Sequence, residues 1–225
     1  MVSIIFDLEG TLVRTVEMTE EIILDFRWQT RKKLIELGVP EETLAGVDSS
    51  ALMRNKAIQY ADANLSNSEK VRLVQELNRF LLGYELKWAD DSRLFPDTLP
   101  ALRTLRSRGI RMAIVTNTSR QAAHNILVKH ALSEYFNVVI TRDSVAQVKP
   151  DPQGVFLAME RLRERNAFFV GDMSVDSEAA RRAGIKSILI KRSWPPHLFS
   201  FQFPADYTVE SLSDIPEILK EDHAF

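Results

Sequence analysis

Five short runs of apolar residues most constrain the fold of this chain, because apolar and polar residues do not alternate within them. The runs are rich in Val, Ile and Phe and lie at residues 2–6, 111–116, 137–141, 167–170 and 187–190. Continuous apolar strands are typical of a parallel sheet that helices cover on both faces. Helical patterns precede or separate the last four runs, at residues 99–109, 119–130, 152–165 and 176–184. This order predicts an α/β fold with a Rossmann-like, doubly wound parallel sheet.

The long stretch between the first two runs contains helical patterns and no strand signal. Apolar residues recur at helical spacing in three segments, residues 16–37, 51–63 and 68–88. Asn67 and Ser68 offer a capping start for the last of these helices. We therefore predict two domains, an α/β core and an inserted all-helical cap. The core comprises residues 1–14 and 93–225, and the cap comprises residues 15–92.

The composition excludes several classes of function. Hydrophobic residues make up 45% of the 225 residues and charged residues 27%, which is typical of a globular protein. The chain has no cysteine, so disulfides, thiolate metal ligands and cysteine nucleophiles are excluded. A net charge of −2 provides no general attraction to nucleic acid or to an anionic membrane. We expect a cytoplasmic monomer or homodimer with neither nucleic acid nor membrane as a partner, because no segment reads as a signal peptide or a membrane span.

Polar residues follow each predicted strand at the point where a parallel sheet binds its ligands. That point is the carboxyl end of the strands, where the loops of neighbouring strands meet. The residues found there are, in chain order, Asp7, Glu9, Thr116, Asn117, Lys149, Asp172 and Asp176. We expect their side chains to surround one small volume.

Four carboxylates in one small volume repel one another unless a cation compensates them. A hard divalent ion with oxygen ligands is suited to this, and Mg²⁺ is the usual choice where phosphate is handled. One carboxylate can then attack phosphorus, while a second donates and accepts a proton. A lysine and a hydroxyl can hold the phosphoryl oxygens. The residues therefore favour phosphoryl chemistry.

Four segments of the chain resemble the motifs of the haloacid dehalogenase-like hydrolases, and the resemblance extends over nearly the whole length. In order they are Phe-Asp-Leu-Glu-Gly-Thr-Leu-Val at 6–13, Val-Thr-Asn at 115–117, Lys-Pro-Asp-Pro at 149–152 and Gly-Asp-Met-Ser-Val-Asp at 171–176. Each follows a predicted strand. The spacing is similar to that of the phosphatase branch with a helical cap between the first two motifs. Residues 205–219 also look like the closing strand and helix of that branch.

This resemblance implies a role for each residue at the strand ends. Asp7 would attack phosphorus and form an aspartyl-phosphate. The residues implied in catalysis are Asp7, Glu9, Thr116 and Lys149. Those implied in binding the phosphoryl group are Thr116, Asn117 and Lys149. The implied Mg²⁺ ligands are Asp7, the backbone carbonyl of Glu9, and Asp172, while Asp176 would support the metal site and Lys149.

Glu9 is the one departure from the common pattern, since most phosphatases of the family have Asp as the general acid and base at this position. The enolase-phosphatases of the family have Asp-Ile-Glu-Gly-Thr there, which is similar to this chain. Dehalogenases and phosphonatases of the family lack a carboxylate at this position. Glu9 therefore argues against both of those activities.

The resemblance implies a hydrolase for a small phosphorylated metabolite, with phosphoglycolate phosphatase-like activity as the most generic case. Two alternatives stay open. A phosphomutase would use the same core to move the phosphoryl group to a second hydroxyl under a cap that excludes water. A non-catalytic relative would use the scaffold to bind phosphate or a protein partner, although intact Asp7, Lys149 and Asp172 argue against it.

Residues outside the motifs have simpler interpretations. Arg54 and Lys56 are interpreted as the polar face of a cap helix rather than as ligands of a substrate anion. Four aromatic residues are expected in the core of the cap, namely Trp28, Tyr60, Tyr84 and Trp88. The aromatic and proline-rich stretch at residues 194–203 is expected to cover the edge of the sheet, with a dimer contact as the alternative.

Overall fold

A computed structural model describes residues 2–192 and 204–222 of the chain, so the predicted role of residues 194–203 lies outside the described residues. The strands in the described part are β1 (Val2–Phe6), β2 (Val13–Thr15), β3 (Ser92–Leu94), β4 (Arg111–Val115), β5 (Val138–Ile140), β6 (Asn166–Gly171), β7 (Lys186–Ile190) and β8 (Tyr207–Val209). The helices are α1 (Glu20–Glu36), α2 (Ser50–Asn64), α3 (Asn67–Asp91), α4 (Thr98–Ser107), α5 (Arg120–Lys129), α6 (Gln153–Leu162), α7 (Ser174–Ala183) and α8 (Ile215–Glu221). None of these helices has both the length and the apolar character that a membrane crossing requires.

Six strands form one parallel sheet in the order β5-β4-β1-β6-β7-β8. β1 lies in the middle and pairs in parallel with β4 on one side and with β6 on the other. All five residues of β1 are buried, because helices cover both faces of the sheet. The prediction of a doubly wound parallel sheet is therefore confirmed, and the closing strand and helix are present as β8 and α8.

The side chains of β1 alternate between two hydrophobic cores, one on each face of the sheet. Ile4 and Phe6 belong to the larger core, which also contains residues of α4, α5 and α8. Ile5 belongs to the core beneath α6 and α7. Burial on both faces explains why the strand reads as an unbroken apolar run.

A second, two-stranded antiparallel sheet joins β2 to β3, with Val13 opposite Leu94 and Thr15 opposite Ser92. The expectation that no strand occurs from residue 15 to residue 92 is wrong at both of its ends. Each strand has only three residues, and polar residues make up much of both. The two segments that connect the core to the helical insert therefore pair with each other in this small sheet.

Helices α1, α2 and α3 pack around a hydrophobic core of their own. Leu34 of α1, Met53 of α2 and Leu77 of α3 are all buried in it. The start of α3 differs from the prediction, because Ser66 is the N-cap and forms a reciprocal capping box with Glu69. That the insert acts as a domain separate from the core stays a prediction.

The structure corrects two interpretations of cap residues. Trp28 is 57% exposed, so it does not belong to the cap core. Arg54 is buried, and its guanidinium donates a hydrogen bond of 3.0 Å to the carbonyl of Ala146 in the core domain. The helical pattern identified the polar face of α2 but could not show that a core loop lies over it. Lys56 is exposed, as expected.

A buried ion pair links cap helix α3 to the core. The guanidinium of Arg142 contacts both carboxylate oxygens of Glu85, with one hydrogen bond at 3.1 Å. The same carboxylate accepts a hydrogen bond of 3.1 Å from the backbone N–H of Ser119. Burial and the positive charge of Arg142 lower the pKa of Arg54 to about 10. Glu85 is thus the buried carboxylate that pairs with Arg142 at this junction.

Replacing Glu85 with Gln should lower the free energy of unfolding by about 3–5 kcal/mol, because Arg142 would keep a buried charge without its partner. Urea unfolding of the variant and the wild type measures the difference. The matched control is Glu76→Gln on the exposed part of the same helix, whose pair with Arg79 should contribute less than about 1 kcal/mol. Equal effects of the two substitutions would contradict a special role for the Glu85 pair.

Candidate active site

The structure brings the side chains at the strand ends together around Lys149. The ammonium nitrogen of Lys149 lies 2.7 Å from a carboxylate oxygen of Asp7, which follows β1, and 2.7 Å from a carboxylate oxygen of Asp176 in α7. Lys149 is only 3% exposed, so both ion pairs are shielded from water. The hydrogen bonding between β1 and β6 continues beyond the end of β1, since the N–H of Asp7 donates to the carbonyl of Val170 at 2.8 Å. This hydrogen bond fixes Asp7 at the carboxyl edge of the sheet.

Three carboxylates gather beside this lysine. One oxygen from each of Asp7, Asp172 and Asp176 lies within 4.8 Å of the other two. Removal from water raises the pKa of Asp7 to about 6, and the charge of Asp176 adds to this although Lys149 opposes it. Removal from water, together with the charges of Asp176 and Asp7, raises the pKa of Asp172 well above its usual value. One ammonium therefore does not balance the negative charge of this site.

Burial alone would lower the pKa of Lys149, but the charges of Asp176 and Asp7 outweigh it and raise the pKa. Lys149 is therefore a permanent cation over the physiological pH range. A carboxyl group attacks well only as the carboxylate, and the contact with Lys149 favours that form of Asp7.

The acidic cluster fits a hard divalent cation. Its donors are all carboxylate oxygens, which is the ligand type that Mg²⁺ prefers. A cation there would supply the positive charge that the raised pKa values of Asp7 and Asp172 show to be missing. The hydroxyl of Thr11 donates to an oxygen of Asp172 at 3.0 Å and orients that carboxylate.

Two glycines allow these carboxylates to come close to the backbone. Gly10 has φ = +84°, a conformation that favours glycine, and a Cβ at this position would collide with the carboxylate of Asp172. A Cβ on Gly171 would collide with the carboxylate of Asp176. Gly10 in the turn after β1 and Gly171 at the end of β6 are therefore required for the same reason, which is the close approach of an acidic side chain.

Glu9 is not one of the three clustered carboxylates and has a different hydrogen-bond partner. Its carboxylate accepts a hydrogen bond from the hydroxyl of Thr118. Removal from water raises the pKa of Glu9 to about 7, although the hydrogen bond from Thr118 opposes this, and the charges of Glu85 and Asp7 add to it. The predicted use of its backbone carbonyl as a metal ligand stays a prediction. Sequence analysis missed Thr118, although it lies two residues beyond Thr116.

Thr116 and Asn117 follow β4 and face the loop of Lys149. Thr116 is buried. Its N–H donates to the carbonyl of Ile140 at 3.0 Å, which continues the hydrogen bonding between β4 and β5. The amide of Asn117 accepts from the N–H of Lys149 at 3.0 Å and donates to its carbonyl at 3.2 Å. In this structure Asn117 therefore holds the backbone of Lys149, and its predicted contact with a phosphoryl group stays a prediction.

A second asparagine holds the preceding residue from the cap side. The amide of Asn55 in α2 donates to the carbonyl of Val148 at 2.7 Å and accepts from its N–H at 3.0 Å. Asn55 is 7% exposed. Two side-chain amides thus hydrogen-bond the backbone of adjacent residues. Asn55 of the cap binds Val148, and Asn117 of the core binds Lys149. Sequence analysis missed Asn55, because nothing in a helical pattern shows which backbone lies opposite.

Replacing Asn55 with Ala should destabilise the fold, because the N–H of buried Val148 would lose its partner and the carbonyl of Val148 would keep only the hydrogen bond from the N–H of Asp151. A buried polar group without a partner costs roughly 1–3 kcal/mol. Urea unfolding measures the loss. The control is Asn64→Ala, which removes a similar side-chain bond to a backbone carbonyl (that of Tyr60) from an exposed position at the end of α2. If Asn55→Ala lowered the free energy of unfolding no more than the control, the proposed role of Asn55 in holding the backbone of Val148 would be contradicted.

Comparison with known proteins agrees with the fold. Residues 4–190 match the sequence model of the haloacid dehalogenase-like hydrolase family. The chain is 29% identical to a phosphoglycolate phosphatase of Cereibacter sphaeroides over 98% of both proteins. It is 28% identical to the pyrophosphatase PpaX of Listeria welshimeri, over 98% of this chain and 97% of that protein. A HAD phosphatase from Thermococcus onnurineus has a similar structure, with a TM-score of 0.61 and 27% identity over 97% of this chain and 98% of that one.

A parallel sheet with a buried aspartate, lysine and acidic cluster at its carboxyl edge is an arrangement suited to phosphoryl chemistry. The chain belongs to the haloacid dehalogenase-like hydrolases, and the prediction of a phosphatase enzyme of this family is confirmed. A β-phosphoglucomutase from Clostridium difficile has a TM-score of 0.65 over the full length of both chains, but at 20% identity it shows the fold alone.

Proposed function

We propose that this protein is a Mg²⁺-dependent phosphatase that hydrolyses a small phosphorylated metabolite through an aspartyl-phosphate on Asp7. The observation that carries this proposal is the buried contact of Lys149 with both Asp7 and Asp176 at the carboxyl edge of the sheet. This arrangement combines an ionised nucleophile with a cation that offsets the charge of a phosphoryl group. Phosphoglycolate is the first metabolite to test, because it is named for a relative that matches over 98% of its length.

In the first half of the reaction, a carboxylate oxygen of Asp7 attacks phosphorus. The bond between phosphorus and the leaving oxygen breaks, and its electron pair stays on that oxygen. The leaving oxygen takes the proton of the Glu9 carboxyl, so the product alcohol departs neutral. Lys149 and the hydroxyl of Thr116 hold the phosphoryl oxygens during this transfer, and Asn117 keeps Lys149 in place through its backbone.

In the second half, a water molecule attacks the phosphorus of the aspartyl-phosphate and gives its proton to the carboxylate of Glu9. The bond between phosphorus and Asp7 breaks, which releases orthophosphate and restores the Asp7 carboxylate. Glu9 is protonated again and ready for the next substrate. The contact with Thr118 fixes one oxygen of Glu9 and leaves the other for this proton transfer.

We propose that Mg²⁺ would be held by Asp7, Asp172 and the backbone carbonyl of Glu9. When bound, it would supply positive charge that offsets the repulsion of the nucleophile and the phosphoryl group, both of which are negative. Asp176 supports the site indirectly, since one of its oxygens accepts from Lys149 at 2.7 Å and the other from the N–H of Met173 at 3.0 Å.

Metal dependence tests the proposed function directly. The purified protein should hydrolyse p-nitrophenyl phosphate with Mg²⁺, lose this activity in excess EDTA and recover it when Mg²⁺ is restored in excess. The matched control is Asp7→Asn, which keeps the shape of the side chain and removes the nucleophile, so it should be inactive with or without metal. Full activity in EDTA, or normal activity of Asp7→Asn, would contradict the proposed mechanism.

Replacing Glu9 with Gln should lower the rate by roughly 10²–10⁴, the usual contribution of a positioned acid or base. The phosphorylated form of Asp7 should accumulate, because the same group would activate the water in the second half. Acid quenching followed by mass spectrometry of the intact protein measures that form. The control is Glu9→Asp, which keeps a carboxyl group but shortens the side chain by one methylene. Its rate should fall between those of the wild type and the Gln variant. Wild-type turnover of the Gln variant would contradict proton transfer by the Glu9 side chain and leave only the role of its backbone carbonyl.

A further inference from the structure

A cavity of about 230 Å³ lies between the acidic residues of the site and the inner side of the cap. Glu9, Gly10 and Asp172 form its floor, and a carboxylate oxygen of Asp172 lies within 4.8 Å of one of Asp7. Four polar side chains line the cavity above the floor, namely Thr15, Arg27, Ser49 and Ser50. The other six are apolar, namely Met18, Ile23, Phe26, Ala51, Trp88 and Met173.

The apolar walls are preformed rather than loose. The rings of Phe26 and Trp88 meet edge to face with their centres 4.7 Å apart, a favourable geometry for two aromatic side chains. Phe26 also packs against the core of the cap, which fixes its position. Both rings are nevertheless only half-buried in the absence of a ligand. An apolar group in the cavity would cover this remaining surface and gain the free energy of burial.

The distribution of charges around the cavity also favours an apolar group as its occupant. Among the described residues that line it, Arg27 is the one cation, and the two acidic residues lie on the floor. Hydroxyl groups are present only at Thr15, Ser49 and Ser50 of the described lining, and polar groups of a sugar or of a second phosphate that lie against Phe26, Trp88 or Ile23 would lose their hydrogen bonds to water. Burying polar groups without partners is costly. The volume is sufficient for one aromatic ring, since one benzene ring occupies a cavity of roughly 150 Å³.

We propose that this cavity receives the alcohol half of the substrate and that this half has an apolar body about the size of one aromatic ring. This inference rests on the proposed phosphatase function and names its substrate class. The substrates would be phosphate monoesters of small aromatic or branched aliphatic alcohols, rather than sugar phosphates, phosphoglycolate or pyrophosphate. Phe26 and Ile23 would then be specificity-determining residues that take no part in bond breaking.

The test compares esters whose intrinsic reactivity is matched. Benzyl phosphate, glycerol 3-phosphate, glucose 6-phosphate and phosphoglycolate are all esters of primary alcohols, so differences in kcat/KM report recognition of the alcohol. With Mg²⁺, the full-length protein should show kcat/KM at least tenfold higher for benzyl phosphate than for the other three, and pyrophosphate should be no better than those. Equal or better turnover of a polar substrate would overturn this inference and leave the proposed function standing. No turnover of any ester would overturn both.

Two variants assign the preference to the cavity wall. Phe26→Leu shortens the wall and Ile23→Thr places a hydroxyl in it, and each should lower kcat/KM for benzyl phosphate at least threefold while changing that for phosphoglycolate less than twofold. The control is Trp28→Leu, an exposed aromatic residue of the same helix that does not line the cavity and should change neither value. Parallel losses on both substrates in Phe26→Leu and in Ile23→Thr would overturn the assignment.

Discussion

The site depends on the burial of a single ammonium group between two carboxylates. Lys149 reaches this position from the loop after β5, Asp7 from the end of β1 and Asp176 from α7, so one cation ties together three separate elements. None of the three charges is easily buried alone. Their pairing therefore fixes how Asp7, Lys149 and α7 are placed relative to one another, and it leaves a surplus of negative charge that a divalent cation suits.

The sheet and the strand-end residues could be predicted because their signals are local. A strand buried on both faces must be apolar at every position, and a parallel sheet gathers its strand ends at one edge. The partners Asn55, Thr118 and Glu85 could not be predicted, because each acts on a segment far away in the sequence. The same reason explains Arg54, whose place on the polar face of α2 gave no sign of the core loop above it.

Glu9 shows how a departure from a common motif is accommodated by its surroundings. One extra methylene carries the carboxyl group further from the backbone than an aspartate would reach. There its carboxylate accepts a hydrogen bond from the hydroxyl of Thr118, whereas Asp7, Asp172 and Asp176 form the group whose carboxylate oxygens lie within 4.8 Å of one another. In the proposed mechanism the group of three would hold the metal and Glu9 would move a proton, so carboxyl groups of one site would have different tasks.

The cap contributes several contacts to the core beside the site. Through Asn55 it holds the backbone beside Lys149, and through Glu85 it compensates Arg142 and binds the N–H of Ser119, which is the residue after Thr118. Its helix α1 also supplies Phe26 to the cavity whose floor includes Glu9 and Asp172. The cap thus contacts both the loop of Lys149 and the cavity beside the acidic residues. Under the proposed function, a substrate that fits this cavity would stabilise the arrangement in which Asn55 holds the backbone beside Lys149.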